Sequence, residues 1–109
     1  MNPEPTWQHQ IHANGNRKTV VLSGEIDMQG AARLQNLLHA AVRAADVVQV
    51  DTAEVSFIDS SVISALVVAR NTAARAGRRL AVVNPSPQVH RVLDVTGVLD
   101  SLTADSSRP

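Results

Sequence analysis

Two strand-like segments and one helix-like segment occupy the first part of the chain. Residues 7–13 alternate loosely between apolar and polar side chains, and residues 18–23 contain a β-branched run typical of a strand. Asn14-Gly15, between them, is the dipeptide most typical of a tight hairpin turn. From about Gly30 the apolar residues recur with the period of a helix. This pattern predicts an antiparallel strand pair followed by a helix that ends near Ala45.

Short strands and helices alternate in the middle of the chain. Residues 47–51 form an apolar run that predicts a strand buried on both faces, and Glu54 is expected in a loop. A second helical pattern extends from about residue 60 to residue 76, and Gly77 is suited to end it. Residues 79–83 predict a further strand.

The last part of the chain predicts one more helix and a short strand. Ser86 followed by Pro87 is typical of an N-cap and the first helical position, and Gly97 closes the apolar stripe that follows. Residues 98–102 predict a short final strand. Right-handed crossovers would lay the helices mainly on one face of the sheet. The predicted fold class is therefore α/β, with a small mixed β-sheet.

Length and composition indicate one ordinary globular domain. The chain has 109 residues, of which 44% are hydrophobic and 18% are charged. This length is enough for one domain with a core, and the sequence shows no internal repeat or linker. We expect the domain to cover residues 7–102, with flexible polar tails at residues 1–6 and 103–109.

Charge and residue usage argue against several classes of protein. Ten basic and ten acidic residues give a formal net charge of zero, which disfavours nucleic-acid binding. No apolar run approaches the roughly eighteen residues of a membrane span, so we expect no direct membrane insertion. The absence of cysteine excludes disulfides and thiol catalysis, and it fits a cytoplasmic protein.

The segment most suggestive of function is the start of the second predicted helix. An apolar run ends there at Asp59, and Ser60 and Ser61 follow. The first backbone N–H groups of a helix lack internal partners and favour an anion, so the position suits a serine that carries a phosphate. The structural alternative is a plain N-cap, since Asp and Ser are preferred there.

Other candidate sites are weaker. No Gly-x-Ser-x-Gly turn accompanies Ser60, so we expect no catalytic residue. His9 and His12 fall on opposite faces of a strand, which argues against a metal site, and nothing in the sequence predicts a cofactor. A basic cluster near the end of the second helix is interpreted as solvated, and it consists of Arg70, Arg75, Arg78 and Arg79.

Four motifs, in this order, resemble the STAS domain of bacterial anti-sigma factor antagonists. They are Val-Leu-Ser-Gly-Glu-Ile-Asp (21–27), Phe-Ile-Asp-Ser-Ser (57–61), Val-Asn-Pro-Ser-Pro-Gln-Val (83–89), and Arg-Val-Leu (91–93) with Thr-Gly (96–97). The resemblance covers roughly residues 17–102. It implies a STAS fold and a binding protein, not an enzyme.

The resemblance also implies a partner switch. The unphosphorylated protein would bind an anti-sigma factor that is also a serine kinase, and so release a sigma factor that directs transcription, often in stress responses. The kinase would phosphorylate Ser60, or less favourably Ser61, and a metal-dependent serine phosphatase would reverse this. The implied partner-binding residues are Glu25, Asp27, Asp59, Ser60, Ser61, Val62 and Ile63.

Two departures from the family pattern leave alternatives open. The family usually has Gly-Leu-Gly after the serines, whereas this chain has Val62-Ile63-Ser64, which we expect to make the contact surface bulkier. Many members also continue into one more helix, so an uncovered sheet edge could support a weak homodimer. The alternatives are a STAS subunit of a lipid-trafficking ABC transporter and a scaffold that does not cycle.

Overall fold

The computed structural model describes residues 6–103, which form four strands and four helices. The expected flexible tails fall almost wholly on residues 1–5 and 104–109, outside the described residues. The strands are β1 (Trp7–Asn14), β2 (Arg17–Ile26), β3 (Val47–Ile58) and β4 (Arg79–Val83). The helices are α1 (Met28–Ala44), α2 (Ser60–Arg75), α3 (Pro87–Val95) and α4 (Leu99–Thr103).

The strands form one mixed sheet in the order β1-β2-β3-β4. Strands β1 and β2 are antiparallel, and their last pair, Asn14 with Arg17, flanks a two-residue turn. Gly15 in this turn has a φ of 62°, a conformation that glycine adopts without steric cost. The two later pairs, β2 with β3 and β3 with β4, are parallel. The hairpin and the α/β class predicted from the sequence are confirmed.

The helices cover one face of this sheet. Along β3, Val48 and Val50 are buried, whereas Val47 and Gln49 between them are only half-buried. The prediction that this strand is buried on both faces is therefore wrong, because the helices leave its other face uncovered. The strand is also longer than predicted, and it includes Glu54, which pairs with Ser23 of β2.

The predicted final strand is instead a helix. Val98 accepts a hydrogen bond from the Leu102 N–H at 3.0 Å, an i to i+4 bond that starts a helical turn. Leu102 is fully buried, and α4 packs against β4 and α2. A five-residue segment with three apolar residues suits either element, and packing against these neighbours decides for the helix.

The first described residues hold the hairpin against α1. Trp7 is only 6% exposed, and its ring lies over Gly30, where any added Cβ would collide with the indole nitrogen. The Arg33 guanidinium lies 5.4 Å from the centre of the same ring, a cation–π distance. This packing places the start of α1 beside the end of β2.

Candidate functional site

Asp59 caps the start of α2. One of its carboxylate oxygens accepts hydrogen bonds from the backbone N–H groups of Ser61 at 3.0 Å and Val62 at 3.2 Å. The Ser61 hydroxyl also donates to this oxygen, at 2.5 Å. The plain N-cap that the sequence left open is therefore present, and the residue that forms it is Asp59.

The hydrogen bonds to Asp59 lower the pKa of its carboxyl below the ordinary value of 3.8. The Ser61 hydroxyl is the largest cause. Burial, the second largest, opposes it, and the N–H groups of Val62, Ser61 and Met28 add smaller effects that lower the pKa. The anion favoured at this helix start is thus Asp59 itself. The sequence predicts that free N–H groups at this helix start favour a phosphate on Ser60. Two of these groups, those of Ser61 and Val62, already donate to Asp59, so for them the prediction is wrong.

Ser60 and Ser61 differ in accessibility although they are neighbours. Ser60 is the first residue of α2 and is exposed. Ser61 is half-buried, and its hydroxyl is held by the Asp59 carboxylate. A modifying enzyme could reach the Ser60 hydroxyl without breaking the cap, whereas modification of Ser61 would break it.

The loop from Glu25 to Asp27 lies beside this serine. Glu25 pairs with Phe57 across β2 and β3, two residues before Asp59. Asp27 caps α1 by accepting from the N–H groups of residues 29 and 30, at 3.0 Å and 3.4 Å. Ile26, directly before Asp27, pairs with Ile58, directly before Asp59, so the starts of α1 and α2 are adjacent. The structure therefore brings together the acidic loop and the serine that the sequence analysis paired.

Thr6 fixes the position of the acidic loop. Its carbonyl accepts from the Glu25 N–H at 2.9 Å, and its hydroxyl donates to the Glu25 carbonyl at 2.8 Å. The preceding Gly24 has a φ of 95°, and an added Cβ there would collide with the Thr6 carbonyl. Thr6, expected in the flexible tail, therefore belongs to the folded domain and supports the loop.

Val62 and Ile63, which were expected in the partner-binding surface, have buried side chains. Val62 is 1% exposed and Ile63 is 8% exposed, and both belong to the hydrophobic core. The expectation that Val62 makes the contact surface bulkier is wrong, because its side chain points under the helix. Ser64 is exposed, so of the two departures from the glycine pattern it alone alters the surface.

Two exposed apolar residues at this site were missed by the sequence analysis. Met28 is 72% exposed, and Phe57 is 46% exposed. Phe57 pairs with Glu25 while the next pair, Ile26 with Ile58, is buried, so Phe57 and Glu25 face away from the core. A register shift between Gly24 and Glu25 produces this arrangement. Periodicity gives no signal for such a shift, and in the sequence Phe57 stands only as part of the apolar run before Asp59.

These residues form one surface at the carboxyl end of two adjacent parallel strands. Such an edge is where open α/β sheets commonly place their functional groups. We call it the carboxyl-edge surface and define it as Glu25, Asp27, Met28, Phe57, Asp59 and Ser60.

The remaining candidates have structural roles or no partner. Arg78 donates to the Val42 carbonyl near the end of α1, and Arg70 donates to the Ser101 carbonyl at 2.8 Å. Half of the basic cluster is therefore engaged in packing and is not simply solvated. His39 is half-buried, and its Nε2 has no hydrogen-bond partner among residues 6–103.

No metal cluster or membrane-spanning helix is found within residues 6–103. None of these residues forms a group of three His, Asp or Glu side chains able to hold a metal ion. None of the helices in this range is long and apolar enough to cross a bilayer.

The fold and motifs define a STAS-domain protein. The family model described as Mlab, STAS domain matches residues 9–104, and the chain belongs to this family. No curated protein sequence matches the chain.

Solved structures support the same fold. The chain is similar to the anti-sigma factor antagonist SpoIIAA in its unphosphorylated form, with a TM-score of 0.77 and 20% identity over 93% of this chain and 90% of that one. The phosphorylated form of the Bacillus cell fate determinant SpoIIAA gives a TM-score of 0.71 and 20% identity over 93% of both chains. An anti-sigma factor antagonist from Mycobacterium paratuberculosis gives 0.78 and 24% identity, over 90% of this chain and 83% of that one.

Proposed function

We propose that this chain is an anti-sigma factor antagonist, a cytoplasmic binding protein and not an enzyme. In its unphosphorylated form it binds an anti-sigma factor that is a serine kinase, through the carboxyl-edge surface. Phosphorylation of Ser60 ends this binding, and a metal-dependent serine phosphatase restores it. The observation that carries the proposal is the exposure of Ser60 beside an Asp59 cap that does not use the Ser60 hydroxyl.

The electrostatics of the surface explain why one phosphate would act as a switch. A phosphoserine adds about −1.5 to −2 charges at neutral pH. Asp59 precedes Ser60, its carboxyl stays ionised because its pKa is lowered, and Asp27 caps the neighbouring helix. A partner that covers Ser60 would have to remove the new charge from water beside these carboxylates. We expect the affinity to fall by about 100-fold or more, as like charges at an interface cost several kcal/mol.

The proposal is tested with substitutions at Ser60 and a matched position one turn later. Ser60→Glu should abolish binding to the purified anti-sigma kinase from the same genome, and Ser60→Ala should retain it. Ser64→Glu adds the same charge to an exposed serine of the same helix, and it should weaken binding less than tenfold. Isothermal titration calorimetry measures all three affinities. Equal binding by the Ser60→Glu and Ser60→Ala variants would exclude the switch.

The same kinase tests whether the cycle operates. Incubation with ATP should add one phosphate to the wild-type chain and none to the Ser60→Ala variant, as measured by intact mass and fragmentation across residues 55–70. Binding without phosphate transfer would instead indicate a constitutive scaffold.

A second candidate is a STAS subunit of a lipid-trafficking ABC transporter. The observation that favours it is the family model itself, which carries the name Mlab. Purification from the native host distinguishes the two candidates. An ATP-binding cassette protein that copurifies in fixed stoichiometry, with no effect of Ser60→Glu, would support the transporter subunit over the antagonist.

A further inference from the structure

The two most distinctive side chains of the carboxyl-edge surface are apolar. Met28 is 72% exposed at the start of α1, and Phe57 is 46% exposed at the end of β3. Single exposed apolar residues are normal on protein surfaces. These two lie close together, because Ile26 pairs with Ile58 across β2 and β3, Met28 follows Ile26 by two residues, and Phe57 directly precedes Ile58.

The charged residues of the carboxyl-edge surface are all acidic. They are Glu25, Asp27 and Asp59, and Glu54 pairs with Ser23 a short distance back along the same two strands. The sequence has no Lys or Arg in residues 19–32 or in residues 44–69, which include the whole surface. All ten basic residues of the chain lie elsewhere, and the nearest in sequence, Arg33, has its guanidinium over the Trp7 ring.

We infer that Met28 and Phe57 are the two apolar anchors of a protein interface, and that the partner presents apolar side chains flanked by Lys or Arg. This inference rests on the proposed function, which makes the carboxyl-edge surface the partner-binding surface. It adds which two residues supply most of the affinity and which side chains of the partner they contact. Met and aromatic side chains are enriched at interface centres, and a few such residues carry most of the binding energy. The surrounding carboxylates steer a basic partner and set its orientation.

The same charges argue against other occupants of this surface. A second copy of the chain docked through the same surface would bring Glu25, Asp27 and Asp59 against their own counterparts, which is unfavourable. Anionic lipid surfaces and nucleic acids would be repelled for the same reason. A basic protein surface is the occupant that the charge pattern favours.

The inference can be tested without knowing the partner. The full chain is used to select binders from a phage-displayed library of random dodecapeptides, and enriched peptides are synthesised for affinity measurement. We expect them to combine an aromatic or aliphatic residue with Lys or Arg. Amide shift changes on peptide binding, measured by NMR, should concentrate at residues 25–28 and 57–60.

Substitutions with matched controls identify the anchors. Met28→Ser and Phe57→Ser should each weaken peptide binding by about tenfold or more. The controls are Val95→Ser, which is 79% exposed on α3, and Ile11→Ser, which is 43% exposed on β1, and both should change the affinity by less than about twofold. Urea midpoints verify that all four variants are folded.

Several outcomes would overturn the inference. These are enrichment of no peptide, of peptides without basic residues, or of peptides whose binding survives both Met28→Ser and Phe57→Ser. None of these measurements involves the kinase or a phosphate. A failed inference therefore leaves the Ser60 experiment unaffected, and a failed Ser60 switch leaves the peptide result unaffected.

Discussion

Helices α2 and α3 both begin next to a serine, but the two serines have different surroundings. Ser86, before α3, is 5% exposed, donates to the Val55 carbonyl, and accepts from the Val89 N–H at 3.2 Å. Ser60, at the start of α2, is exposed, and the cap of its helix is Asp59. Ser86 itself caps α3, whereas α2 is capped by Asp59, the residue before Ser60.

This difference separates a structural serine from an available one. Modification of Ser86 would require the removal of a buried hydroxyl from two hydrogen bonds. Modification of Ser60 would leave all the described hydrogen bonds of the α2 cap intact. The Ser86-Pro87 pair predicts this capping role for Ser86, and the structure confirms it. A serine at a helix start is a better candidate for regulation when its neighbour supplies the cap.

Replacement of the two serines by alanine should give the largest contrast. We expect Ser86→Ala to lower the free energy of unfolding by about 2 kcal/mol, because the cap is lost and the buried Val55 carbonyl loses a donor. Ser60→Ala should change it by less than about 0.5 kcal/mol, as for other exposed positions. Urea denaturation measures both values. Similar losses for the two variants would contradict the difference between these helix starts.

The aspartate caps should show the next largest effect. Asp59 accepts three hydrogen bonds with one oxygen, whereas Asp27 accepts one at 3.0 Å and one at 3.4 Å. We expect Asp59→Ala to cost about 1–2 kcal/mol of unfolding free energy and Asp27→Ala about half as much. Asp59→Asn should retain most of the stability, because Asn caps helices nearly as well as Asp. A larger loss for Asp27→Ala would reverse the ranking.

Much of the fold follows from local patterns that the sequence carries. The Asn14-Gly15 turn, the helical periods and the Ser86-Pro87 start depend on neighbouring residues, and each is present in the structure. The final segment was mispredicted because residues 98–102 are too few to show a period. Its choice between strand and helix depends on contacts with β4 and α2.

The site was less predictable because it depends on contacts between distant residues. The motifs identified Asp59, Ser60 and the acidic loop, which carry the family pattern. Thr6 and Glu25 are hydrogen-bonded although they are far apart in the sequence. Phe57 faces outward because of a register shift between β2 and β3. Periodicity reveals neither feature. Val62 was misplaced because it was compared with the glycine of the family pattern, although its spacing from Leu66 and Ala69 places it on the buried face of α2.

The smallest expected effect is a change in acid sensitivity at α2. Ser61 is the largest cause of the lowered Asp59 pKa, so Ser61→Ala should raise that pKa toward 3.8. A depressed pKa in the folded state contributes stability at pH values above the unfolded pKa, and this contribution is lost as the pH falls through the folded pKa. The Ser61→Ala variant should therefore have a smaller contribution from Asp59 near neutral pH, and it should lose that contribution at a higher pH than the wild type. NMR titration of the Asp59 carboxyl and urea midpoints from about pH 7 to about pH 3 measure both effects. Ser64→Ala, without a hydroxyl bond to Asp59, is the control, and an unchanged Asp59 titration in Ser61→Ala would show that the cap does not depend on this hydroxyl.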